Sequence, residues 1–228
     1  MKAQFLESER REVAILAERL TDNRIALAEV WQQLTSGRTQ VVDSFVSDER
    51  CYFLLTPLLP GEQCSGLSER RRCILENLLC GQSVKALAYD LGLSHSTVSQ
   101  EAKAALQHFG MECTPCRANP LLAMLARAAV DSLLNRCARI ACFSDAERMF
   151  RVIGAARPEG GLAPILPPAE FAVVRGLLEG RNYLEIAANR GTSTRTVANQ
   201  LAAAFRKLGV SGRGSLLNHV VSAGDSLG

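Results

Sequence analysis

The sequence predicts a mainly α-helical protein of two tandem four-helix units, each preceded by a helix and a short β-hairpin-like segment. Three observations carry this. From Leu166 to His219, apolar residues recur at helical spacing in four short runs, punctuated by glycines and cap residues. A weaker copy of that pattern runs from Leu67 to Leu121. Residues 38–56 break the helical period: Val41, Val42, Phe45, Val46, Tyr52 and Phe53 favour strands, around a turn at Ser47-Asp48-Glu49.

In chain order, residues 1–66 form an N-terminal segment. Ser8 to Leu34 reads as helix interrupted near Thr21-Asp22-Asn23, with Val13, Leu16, Ala17 and Leu20 on one stripe and Ile25, Leu27, Val30, Trp31 and Leu34 on another. These helices either pack on the domain that follows or dimerise the chain. A β-hairpin at 38–56 comes next; a lone hairpin is marginal in water, so it must lean on helices. Thr56 to Gly66 is a connector, and 67–134 holds the first four-helix unit, with Asn119 to Leu134 as a long helix entered at Pro120. Residues 135–165 contain a second hairpin or a helix. Ser144-Asp145-Ala146-Glu147 fits a capping box, and the preceding Phe143-Ser144-Asp145 echoes Phe45 and Ser47-Asp48 of the first hairpin. Ala155 to Pro168, rich in proline and glycine, is expected to be a flexible connector.

The second unit, 166–228, is the most legible. Pro167 and Pro168 suit a helix entry, and Phe171, Val174, Leu177 and Leu178 give one apolar face. Gly180 ends that helix, Asn182 caps the next, Gly191 supplies a tight turn, and Ser193 or Thr194 caps the third. Val197, Leu201, Phe205 and Leu208 form the third helix's buried stripe; Arg195, Asn199, Ala202 and Arg206 lie opposite. Two helices joined by a glycine turn, the second with a polar, basic outer face, is the helix-turn-helix plan.

This segment resembles the LuxR/FixJ (GerE-like) helix-turn-helix domain. The matching residues are Leu166, Glu170, Leu178, Gly180, Glu185-Ile186-Ala187, Ser193 through Val197, Lys207-Leu208-Gly209-Val210 and Arg213. With Trp31-x-x-Leu34-x-x-Gly37 ahead of the first hairpin, the tandem arrangement looks like that of regulators in myxobacteria. The resemblance implies a bacterial transcription regulator whose partner is double-stranded DNA. It places Ala198, Asn199 and Ala202 at base edges, and Thr194, Thr196, Arg206, Lys207 and Arg213 on phosphates, with Arg195 on the same outer face. The family often carries larger polar residues where this chain has Ala198 and Ala202. A second copy of the chain, RNA polymerase or another regulator are the further partners this reading admits.

The first unit aligns with the second at an offset of 99 residues, without gaps from Leu67 to Gly110. The two copies are unequal in charge. Residues 67–121 carry six Lys and Arg against five Asp and Glu, whereas 166–220 carry seven against three. Phosphate attraction is the sequence-independent part of affinity, so the second copy is expected to bind DNA better. The first has Arg71 where Glu170 stands, and Gln107-His108 where Arg206-Lys207 stand. Its recognition helix still offers Ser96, Thr97, Ser99, Gln100 and Lys103 as a second DNA-binding set; Gln100 suits adenine and Lys103 guanine. The alternative is a degenerate copy kept for packing.

Composition bounds the rest. The chain has 228 residues, 47% of them hydrophobic, and a net charge of +3, which permits nucleic-acid binding without demanding it. The early charges Glu7, Glu9, Arg10, Arg11 and Glu12 leave no signal-peptide core, so a cytoplasmic protein without membrane contact is expected. Among eight cysteines, only Cys113-Thr114-Pro115-Cys116 has a sharp spacing, that of a redox pair; a zinc site lacks its second pair of ligands. Neither metal, cofactor nor catalysis is expected: His95, His108 and His219 have no partner at an interpretable spacing, and no phosphate loop occurs. The competing functions are a protein-interaction regulator (anti-activator or scaffold) that keeps the fold without strong DNA contact, and a sigma-like factor. The latter needs an aromatic-rich promoter-melting region that 1–66 lacks.

Overall fold

A computed structural model describes residues 7–19, 24–47, 49–59, 61, 65–111, 120–130, 137–145 and 148–223. The elements follow in order as α1 (Glu7–Arg19), β1 (Arg24–Ala26), α2 (Leu27–Thr35), β2 (Thr39–Val46), β3 (Arg50–Pro57), α3 (Glu69–Leu79), α4 (Val84–Asp90), α5 (His95–His108) and α6 (Pro120–Val130). Then come β4 (Cys137–Asp145), β5 (Arg148–Ala156), α7 (Pro168–Leu178), α8 (Tyr183–Arg190), α9 (Thr194–Leu208) and α10 (Arg213–Ala223).

The strands form one antiparallel sheet in the order β1-β4-β5-β3-β2. This corrects the mainly α expectation: the fold is mixed α and β, and the hairpins are not short appendages to helical units. Each hairpin alone leaves an inner row of backbone donors and acceptors unpaired, and the two rows satisfy one another along β3 and β5. The alternative left open for 135–165 resolves as strand. Ile25 lies in β1, paired with Ala138, and not in a helix.

The sheet makes the duplication geometric. Leu54 and Val152 stand 98 residues apart at equivalent positions and pair directly opposite each other. An approximate two-fold axis therefore passes between them. The stacked pair Phe45–Tyr52, centroids 5.0 Å apart, recurs as Phe143–Phe150 at 5.4 Å.

Both faces of β3 are covered, which is why Cys51 to Leu55 reads as a continuous apolar run. On one face Cys51, Phe53, Leu55 and Ile153 meet Leu27, Trp31 and Leu34 of α2 and Leu121 to Ala126 and Ala128 of α6. On the other, Tyr52, Leu54 and Val152 meet Val13 of α1, whose Arg10 forms a two-bond ion pair with Asp43 (2.7 and 2.8 Å). Trp31 Nε1 donates to Glu76 Oε1 at 2.8 Å, and Val41 N donates to Phe109 O at 2.9 Å, fastening the sheet to α3 and the end of α5. Helix α10 lies on the turn after α3: a Cβ built on Gly81 would stand 2.5 Å from Asn218 Cβ, and Gly81 has φ +95°.

The stretch expected as a flexible connector is instead pinned. Pro158–Leu162 forms a short 3-10 helix that buries Glu159 against Arg157. Arg157 Nη1 also reaches Glu179 Oε1 at 2.9 Å and Ser47 O at 3.0 Å. A buried guanidinium needs several acceptors, and these come from three separate elements.

Candidate nucleic-acid interface

The α7–α9 unit is set by local chemistry. Pro168 opens α7. Asn182 Oδ1 accepts from Glu185 N at 2.9 Å while Glu185 Oε2 accepts from Asn182 N at 2.6 Å, a full capping box on α8. Gly191 closes α8 with φ +62°, a conformation open to glycine at little cost, and turns the chain into α9. Ser193 Oγ then accepts from Thr196 N at 3.1 Å.

Within α9, Val197, Leu201, Ala204 and Leu208 are buried. Phe205, expected in that stripe, is only half-buried, with Ala204 taking the inward position. Opposite them Arg195, Asn199, Ala202 and Arg206 are exposed, in steps of four, three and four that align them along one side. Thr194 and Lys207 are exposed too, whereas Thr196, Ala198 and Arg213 are half-buried. Thr196 shares its hydroxyl with Ser193 at 2.9 Å. Lys207 Nζ is bonded to Glu170 Oε1 at 2.7 Å, so this cation carries a partner from α7. No ion pair engages Arg195 or Arg206 among the described residues.

The first unit repeats the plan with the charges rearranged. Ser94 caps α5, accepting from Thr97 N at 3.0 Å, and its hydroxyl meets those of Ser96 and Thr97 at 2.7 and 2.8 Å. Ser96, Ser99, Gln100 and Lys103 are exposed and Thr97 half-buried. Arg71, the counterpart of Glu170, donates to Glu101 Oε2 at 2.7 Å. The link between the first and third helices is thus kept with its sign reversed. The hydrogen bond from Arg71, more than its charge, holds the Glu101 carboxyl below the usual range. His108, the counterpart of Lys207, is kept below its ordinary pKa of 6.5 by burial and then by the charge of Arg71.

No family model matches the chain, and no curated protein and no solved structure matches it either.

Cys113 and Cys116, the expected redox pair, lie outside the described residues. Among the described residues no three His, Cys, Asp or Glu side chains gather as metal ligands would, and no helix is long and apolar enough to cross a membrane. Burial pushes the Cys51 thiol up to about 12, with the charge of Glu159 adding to it. Sequence reasoning missed the Glu170–Lys207 and Arg71–Glu101 pairs. The one available signal was the inversion at aligned positions 71 and 170, which by itself did not point to Glu101.

Proposed function

We propose that the chain is a cytoplasmic, DNA-binding transcription regulator with two helix-turn-helix units of the kind the LuxR/FixJ resemblance implies, the second being the stronger DNA binder. The observation that carries this is the exposed stripe Arg195, Asn199, Ala202 and Arg206 on a third helix whose other side is anchored in the core. A helix of that form fits the major groove. Asn199 would pair with adenine there, while Ala198 and Ala202 would offer methyls to thymine. Arg206, Lys207, Thr194, Thr196 and Arg213 would hold phosphates. Lys207 would reach a phosphate by leaving Glu170, whose side chain is only 14% exposed. Ser96, Thr97, Ser99, Gln100 and Lys103 would make the weaker second contact.

The test is a fluorescence-anisotropy salt titration on random-sequence duplex DNA. Arg206→Ala with Lys207→Ala should weaken binding on every sequence and flatten the log–log salt slope by about 2, near one unit per lost phosphate contact. An unchanged slope would remove α9 from the interface.

A protein-interaction regulator is the second reading. Tyr89 of α4 is 89% exposed with Leu91 beside it, apolar surface on the less basic unit that suits RNA polymerase or another regulator. Capture of a defined partner by nuclease-treated protein, combined with no salt-sensitive DNA binding, would favour it.

A further inference from the structure

We propose that the cleft between α7 and α8 is a binding site for a small phosphate-class oxyanion. It is an open cleft of about 290 Å³, lined by Arg175, Arg181, Arg190 and Glu179 together with Gly176 and Ile186. That is just below the ~300–1,000 Å³ of drug-sized sites, so it suits a small anion and not a large cofactor.

Arginines outnumber carboxylates along its lining, and both oxygens of Glu179 are taken: Oε1 by Arg157 and Oε2 by Arg181, each at 2.9 Å. Arg175 is itself engaged, which leaves Arg181 and Arg190 as the groups an anion would meet. Arg190 Nε is buried and has no acceptor among the described residues. A buried donor without an acceptor is costly, and the arginine fork matches phosphate oxygens in pairs.

The cleft is separate from the α9 stripe. Glu170, which meets Lys207 of α9, precedes Glu179 by nine residues. Nine residues are about two and a half helical turns, so the two carboxylates stand on opposite sides of α7. Nor does helix packing demand the arginines. The first unit folds the same helices with Glu76, Gln82 and Leu91 at the positions of Arg175, Arg181 and Arg190. An anion in the cleft competes with Glu179 for Arg181, and Glu179 joins α7 through Arg157 to Ser47 O in the β2–β3 turn. Occupancy is therefore felt where the second unit meets the sheet.

The test follows thermal unfolding of the full chain in inorganic phosphate and in chloride at matched ionic strength. Wild type should show a saturable rise in midpoint with phosphate. Arg181→Gln with Arg190→Leu, which installs the first unit's residues, should abolish the rise and leave DNA affinity within about twofold of wild type. Should that variant fail to fold, Arg190→Lys keeps the charge and removes the Nε donor, and should weaken the phosphate effect several-fold. Repeating the titration with phosphoserine separates two sources of the same group: tighter binding than phosphate indicates a phosphomonoester, weaker binding indicates the free ion. The proposal is overturned if phosphate gives no more than chloride, if the rise survives in both variants, or if the double variant loses DNA affinity as the Arg206/Lys207 variant does. In the last case the arginines belong to the DNA surface. The site does not depend on the DNA-binding reading, which fails instead on the salt slope.

Discussion

His108 shows how one side chain records the divergence of the two units. Its counterpart Lys207 is an exposed ammonium; His108 is half-buried, 5.9 Å from the Phe109 ring. Because the fold depresses its pKa, the neutral imidazole is the form the folded state prefers. Below about pH 6.5 the unfolded chain takes up a proton that the folded chain resists, so stability falls from there down through the depressed native value. His108→Gln should lose that part of the acid sensitivity and change little above about pH 7.5. Urea midpoints measured across that range check it, and an identical pH dependence in the variant would show that His108 does not contribute. The residues that were legible in the sequence act over a turn or less: Asn182 with Glu185, Ser193 with Thr196, Gly191 in its turn. The cross-helix pairs Lys207–Glu170 and Arg71–Glu101, 37 and 30 residues apart, left no such local trace.

Among the elements, the helices were easier to read than the sheet for the same reason. Helical period and caps sit within one segment, and α7, α8 and α9 follow them. The strands of the first hairpin were also visible, as β-branched and aromatic residues around a turn. What no local pattern carries is that β3 bonds to β5 across about a hundred residues, which turns two hairpins into one sheet. The second hairpin was ambiguous because Ser144-Asp145-Ala146-Glu147 satisfies a helix cap, and the competing signal, pairing of β5 on both its edges, is tertiary. Leu54, 1% exposed at the pseudo-two-fold axis, tests this element directly. Leu54→Ala removes packing from both halves at once and should cost about 2–5 kcal/mol in denaturant unfolding. A loss below about 1 kcal/mol would mean the site closes over the gap and the strand pairing tolerates it.

At the scale of the molecule, α10 ties the second unit to the first. Gly81→Ala adds a side chain at φ +95° and against Asn218, so it should destabilise by more than ~1 kcal/mol. Gly212→Ala, with nothing within 4 Å of its added carbon, serves as the control and should be near neutral. Equal effects at both positions would show that the contact between Gly81 and α10 contributes nothing to stability.

The pairing of Leu54 with Val152 has a further consequence. Two like hairpins on separate chains would have to find each other by collision, and their union would dissolve as the protein grew scarce. Here the peptide bond keeps the halves permanently near, so their joining is a first-order event. The unfolding midpoint should therefore hold constant as the protein is diluted about a hundredfold; a midpoint that slides downward would reveal that a separate molecule completes the structure. A cell holding only a few molecules would still hold each one zipped. Each half is also free to drift in sequence without forcing the same change on the other, which is how one arm can keep its arginines while its twin gives them up.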